Sequence, residues 1–254
     1  MDYTYIFWPV FLLLGLVVGS FLNVCIYRIP KNITVAKGFS MCPACLKRLL
    51  PMELVPVLSY IFLGGKCRHC SARISFVYPI VELITGALFV LVYMVYGFSL
   101  YTALALVVGC TVITAAFIDI NTLEIPDGAS IIIAVAGLIA FLTPQALWWE
   151  RLIGVFAGAG PLLIIAIISG GGAMGMGDIK LMAAAGLFLG YKLVLTSLLI
   201  AVIFGGVVGA ALVLLKIKGR KDEIPFVPML GFGIIVSMLA GDAIIAWYVA
   251  LMTF

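Results

Sequence analysis

The chain has 254 residues, of which 65% are hydrophobic and only 10% charged, where a water-soluble domain carries about 25% charged residues. That deficit excludes an ordinary soluble domain and points to a lipid bilayer. The formal net charge of +4 is modest, and the basic residues form no stripe interleaved with aromatics, which argues against a nucleic-acid partner.

A helix needs roughly 20 apolar residues to cross about 30 Å of hydrocarbon. Apolar runs fall near 5–27, 78–97, 100–118, 129–143, 152–170, 179–190, 192–215 and 227–253. The expectation is therefore an all-α integral membrane protein of about eight transmembrane helices, with the short 179–190 run tilted or partly inserted. The first run is too long for a cleaved signal segment and no small-residue cleavage site interrupts it, so it reads as a retained span. With eight spans, the segments 28–77, 119–128, 171–178 and 216–226 share one side. Together with the helix end at Lys180 they hold 13 of the 15 basic residues: Arg28, Lys31, Lys37, Lys47, Arg48, Lys66, Arg68, Arg73, Lys180, Lys216, Lys218, Arg220 and Lys221. Only Arg151 and Lys192 remain opposite, so the first set is expected in the cytoplasm, with both termini outside and Trp148 and Trp149 in an outer interfacial belt.

The loop between the first two spans carries Cys42-Pro43-Ala44-Cys45, then 21 residues, then Cys67-Arg68-His69-Cys70. Two such knuckles suit tetrahedral Zn²⁺ bound by Cys42, Cys45, Cys67 and Cys70. The segment has a small apolar supply, including Leu54, Val55, Val57, Leu58, Ile61 and Phe62, and a metal crosslink would compensate for its thin core. A redox pair is the competing reading, but it needs a βαβ context that is absent here. Disulfides do not suit a reducing compartment. His69, inside the second knuckle, can neighbour the metal, although four thiolates already close a site. Cys25 and Cys110 lie singly in apolar runs, where a thiol is ordinary packing.

An ionisable residue in or at the edge of an apolar span is a functional candidate by default. Asp119 closes the third span in Phe117-Ile118-Asp119-Ile120-Asn121. Asp178 sits in Gly175-Met176-Gly177-Asp178-Ile179-Lys180, where the chain re-enters the membrane after the run Gly170-Gly171-Gly172-Ala173-Met174. Both belong to the same face. Two carboxylates there can share a proton, one activating water and the other protonating the substrate, as in aspartic peptidase chemistry. The only histidine is His69, so serine-type chemistry lacks its usual base. The plainer alternative makes Asp178 a helix cap, Asp119 a boundary acid and Asp127 a turn or cap after Ile125-Pro126. A transporter would place acids near the bilayer midplane in broken helices, and an assembly scaffold would use its acids only structurally.

Taken in order, these elements resemble the bacterial type IV prepilin peptidase family, the bifunctional leader peptidases and N-methyltransferases. The resemblance covers nearly the whole chain. It runs through Gly19-Ser20-Phe21-Leu22-Asn23-Val24, Tyr27-Arg28-Ile29-Pro30, both cysteine knuckles and Tyr78-Pro79-Ile80-Val81-Glu82-Leu83-Ile84-Thr85-Gly86. It continues in Asp119 ahead of Ile125-Pro126-Asp127, Gly175-Met176-Gly177-Asp178-Ile179-Lys180-Leu181, and Ile224-Pro225-Phe226. The resemblance implies Asp119 and Asp178 as the catalytic pair, cutting a short basic leader from a prepilin or pseudopilin at the cytoplasmic face of the bacterial inner membrane. It implies S-adenosylmethionine as methyl donor for the exposed α-amino group. It divides the chain into a first span (1–27), a cytoplasmic zinc-binding, methyltransferase-like region (28–77) and a polytopic peptidase domain (78–254). No glycine-rich nucleotide fingerprint marks the methyl-donor site; Asn23, Arg28 and Glu82 are weak candidates, and Glu82 can equally pair with Arg28 or satisfy backbone groups. Leu46 stands where family members often have glycine, and a left-handed turn there would strain it. Val227 stands at another such position.

Overall fold

The computed structural model describes residues 4–35, 39–171, 174–219 and 223–253. Lys37, Arg220 and Lys221 of the basic set, and Gly172 and Ala173 of the glycine run, lie outside the described residues. The described chain is all-helical, with only two isolated β-bridges. Six helices are long and apolar enough to cross a membrane. They are α1 (Thr4–Arg28), α3 (Val77–Tyr96), α4 (Leu100–Thr122), α6 (Trp148–Ile168), α8 (Tyr191–Leu214) and α9 (Val227–Met252). A short helix α2 (Leu58–Phe62) lies in the cysteine loop. At the two remaining expected spans the chain forms shorter helices, α5 (Asp127–Ile139, 13 residues) and α7 (Met176–Leu189, 14 residues).

The chain divides into two compact units, Met1–Phe98 and Ser99–Phe254. In the first, α1 packs on α3 through Gly15 and Gly19. A Cβ at Gly15 would lie 2.8 Å from Gly86 Cα, and one at Gly19 would lie 2.7 Å from Glu82 Cα. Two glycines four residues apart thus let the backbones meet, as in membrane helix pairs that associate by close packing. Aromatic rings close the far end, Phe11 stacking on Tyr93 at 4.1 Å between centroids.

In the second unit α7 is central, packed against α5, α6 and α8, with Leu181, Met182, Ala185 and Phe188 wholly buried. Its seam with α6 brings the backbones together at the glycines: a Cβ on either Gly154 or Gly186 would strike the other's carbonyl oxygen, and one on Gly158 would strike that of Met182. α9 packs on both α8 and α4. Helix ends follow local chemistry. Ser99 caps α4 by accepting the Thr102 N–H. At its other end Leu123 turns left-handed and donates its N–H to the Asp119 carbonyl, before Pro126 sets the start of α5.

Candidate active site and candidate metal centre

Asp119 sits in the last turn of α4 and Asp178 in the first turn of α7, and both carboxylates line one recess of about 290 Å³. Its wall also includes Leu123, Glu124, Ile125, Asp127, Gly175, Gly177 and Lys180. The two acids are 5% and 8% exposed, so neither is a solvated boundary charge. Asp119 Oδ2 accepts the backbone N–H of Val227 at 3.0 Å. The start of α9, where Ile224-Pro225-Phe226 leads in, therefore delivers a main-chain donor and the positive end of a helix dipole to this carboxylate. Asp178 is differently placed. Its Oδ2 faces Gly175, where a Cβ would lie 3.1 Å away. The carboxylate accepts a backbone hydrogen bond from Gly175 at the helix start, as a cap does, and its Oδ1 is buried with no hydrogen-bond partner among the described residues.

Two further features tie the flanking motifs together. A Cβ at Gly177 would lie 2.9 Å from the Ile125 side chain, so the glycine lets the approach to Asp178 rest on the Ile125-Pro126 turn. Lys180 Nζ pairs with Asp127 Oδ1 at 2.8 Å. Sequence reasoning treated Asp127 as a cap and Lys180 as an orientation signal, and missed this pair; both motifs lie at one face, which was the available signal.

In the first unit the four cysteine sulfurs all lie within 4.8 Å of one another, with Cys42 Sγ 3.9 Å from Cys70 Sγ. A tetrahedral zinc with bonds near 2.3 Å separates its sulfurs by about 3.8 Å, so the donor set fits that metal. The knuckles repeat one another. Cys42 N–H donates to the Lys47 carbonyl and Leu46 N–H to Cys42; Cys67 N–H donates to Ala72 and Ser71 N–H to Cys67. Each knuckle turns through a left-handed residue, Leu46 at φ 56° and Ser71 at φ 57°, so Leu46 adopts the conformation that glycine would adopt without strain. Hydrogen bonds from the backbone N–H groups of Cys45 and Ala44 lower the pKa of the Cys42 thiol to about 7, while that of Cys70 in the same cluster is raised to about 11. His69 donates its backbone N–H to Cys67 Sγ at 3.4 Å, and its Nε2 lies 3.9 Å from Glu53 Oε1.

The residues considered for a methyl donor are already engaged. Asn23 Nδ2 donates to the Tyr78 carbonyl at 3.1 Å, and Arg28 donates to the carbonyls of Thr34 and Phe39, each at 3.1 Å. Glu82 Oε2 accepts the N–H of Val57 at 2.8 Å. Of the roles open to Glu82, the structure supports backbone satisfaction. Val57 is the centre of a tight turn at φ 62°, its neighbours closing a Leu58 N–H to Pro56 carbonyl bond, a strained conformation for a β-branched residue. Each of these three side chains is held by a main-chain group of the same unit.

Residues 13–96 match the family model described as Bacterial Peptidase A24 N-terminal domain, and residues 106–210 that of the Type IV leader peptidase family. A Bacillus subtilis protein named prepilin leader peptidase/N-methyltransferase is 38% identical over 239 residues, covering 92% of this chain and 95% of the relative. This chain belongs to the type IV leader peptidase family. Relatives of the same name from Neisseria gonorrhoeae (33% identical, 84% of each chain) and Aeromonas salmonicida (31%, with 97% and 95% covered) match along the same length. No solved structure matches the chain.

Proposed function

We propose that this protein is a membrane aspartic peptidase that removes the short leader of prepilins or pseudopilins at the cytoplasmic face of the bacterial inner membrane, and that it methylates the α-amino group so exposed. The observation that carries the peptidase reading is the convergence of Asp119 and Asp178, from two different helices, on one recess, in a chain of this family. The hydrogen bonds suggest the division of labour. Asp119, steadied by the Val227 N–H, takes a proton from water as the water oxygen attacks the scissile carbonyl carbon. Asp178 protonates the carbonyl oxygen; as the tetrahedral intermediate collapses the C–N bond breaks, the leaving amine takes the proton held by Asp119, and the re-forming carbonyl returns its hydroxyl proton to Asp178. The recess wall holds four carboxylates, Asp119, Glu124, Asp127 and Asp178, against one lysine, a balance suited to a basic leader.

The methylation half of the proposal rests on the relatives' shared name, with S-adenosylmethionine the donor that such chemistry uses. Cys42, Cys45, Cys67 and Cys70 would hold zinc as a crosslink for region 28–77, and residues 78–254 would form the peptidase domain. We place all eight apolar helices, α5 and α7 included, in the membrane, and the 13-to-2 division of basic residues supports the aspartates and the cysteine loop lying inside the cell. The test is cleavage of a matched prepilin by purified protein in detergent, read by mass spectrometry with and without S-adenosylmethionine. Leader removal by the wild type and none by folded Asp119→Asn or Asp178→Asn is expected. Normal cleavage by either variant would remove that aspartate from the mechanism.

A further inference from the structure

Arg151 was expected at the outer surface, yet it is completely buried. A buried charge in a membrane protein is costly and calls for a specific partner. The neighbouring Glu150 forms its ion pair with Lys192 at 2.9 Å and meets Arg151 through the field of its charge rather than by a direct salt bridge. Instead the guanidinium donates to the main-chain carbonyl of Phe188 and, at 3.3 Å, to Thr143 Oγ1, with the Phe141 ring 5.9 Å away. Phe188 belongs to the last turn of α7, where carbonyls lack partners within the helix and the dipole is negative.

We propose that Arg151 is a positioning residue for the peptidase site, fixing the axial position of α7, and so of Asp178, from the opposite end of that helix; this rests on Asp178 being catalytic. Three observations join in it. Arg151 lies on α6, and α6 meets α7 backbone to backbone at Gly154, Gly158, Met182 and Gly186, so a displacement of one helix passes directly to the other. The guanidinium also reaches the turn after α5 through Thr143, so it fixes the far end of α7 to two neighbours at once. At the near end, α7 is held by the burial of Ile179, Leu181 and Met182, by the exposed Lys180–Asp127 pair and by the Gly177 contact with Ile125. Ten residues of helix separate Asp178 from Phe188, about 15 Å, and a packed helix of that length moves as a rod. A displacement of about 1 Å at a catalytic group can cost about a hundredfold in rate.

The experiment measures kcat and KM for prepilin cleavage per folded molecule in the full-length protein, comparing wild type, Arg151→Met, Arg151→Lys and Asp178→Asn. Arg151→Met, which keeps the bulk but has no donor, is expected to lower kcat about tenfold or more with KM within about twofold, because the recess that binds substrate is intact. Arg151→Lys, which retains a donor for the Phe188 carbonyl, is expected to recover most of that loss. If Arg151→Met does not fold, Arg151→Gln takes its place, and a kcat loss of about threefold or more at unchanged KM upholds the role. Wild-type kcat in the folded variant overturns it. An inactive Asp178→Asn beside that result leaves the peptidase reading standing, whereas an active Asp178→Asn overturns both.

Discussion

The cysteine loop and the aspartate recess are built on opposite principles. The loop, in the first unit, leaves Leu50, Met52, Leu58, Ile61 and Phe62 largely exposed and gathers itself around four cysteines through two copies of one hydrogen-bonded knuckle. The recess, in the second unit, hangs on helices whose backbones touch, with no crosslink. A region with little core is expected to depend on a ligand, and one with close-packed helices on the absence of side chains at a few positions. Different perturbations should therefore disable each one.

The largest effect is expected at the recess itself. Asp119→Asn or Asp178→Asn should reduce leader cleavage by at least about 10³-fold without loss of folded protein, as read by product mass and size-exclusion profile. Next comes the metal. Chelation, or Cys42→Ser or Cys67→Ser, should release zinc measurable by elemental analysis and open residues 28–77 to proteolysis, since structural zinc supplies about 10 kcal/mol or more of folding free energy in small modules. Pure wild type without zinc would break this half of the comparison. A smaller and opposite case is Gly186→Ala. It should leave zinc content unchanged and lower the thermal stability of the membrane helices by about 1–3 kcal/mol, as overpacking does. The Lys180–Asp127 pair is exposed on both partners, so Lys180→Met should cost no more than about 1 kcal/mol. At the small end, Leu46→Gly should relieve the left-handed strain and stabilise the loop by about 1 kcal/mol, visible as slower zinc loss to a competing chelator.

Much of this was legible in the sequence, for reasons that separate the residues it placed from those it did not. The helices lie where the apolar runs lie, and the cysteines meet because a paired knuckle is a local, strongly specified object. Asp119 and Asp178 could be expected at one face because each ends or begins an apolar run. Arg151 could not be placed. Its partners are a main-chain carbonyl 37 residues away and a threonine hydroxyl, groups that carry no signature, and charge counting alone assigns such a residue to water. Glu82 was ambiguous for the same reason, since its acceptor role depends on the N–H of Val57 in a turn no pattern announces. The length of a run could not say how a helix of 14 residues sits in a bilayer.

That last length has a consequence for solvent. Fourteen residues extend about 21 Å, some 9 Å less than the hydrocarbon of a bilayer, so in the membrane placement proposed for this helix the shortfall would be filled by deformed lipid, protein or water. Asp178 stands in the first turn of this short helix, beside a recess walled mainly by polar residues. A hydrolase in a membrane has to bring its second reactant, water, to a bond lying near lipid, and a helix that stops short of the headgroups leaves an inlet for it. Catalytic rate would then depend on acyl-chain length, fastest in thin bilayers and declining as thicker ones close over the inlet.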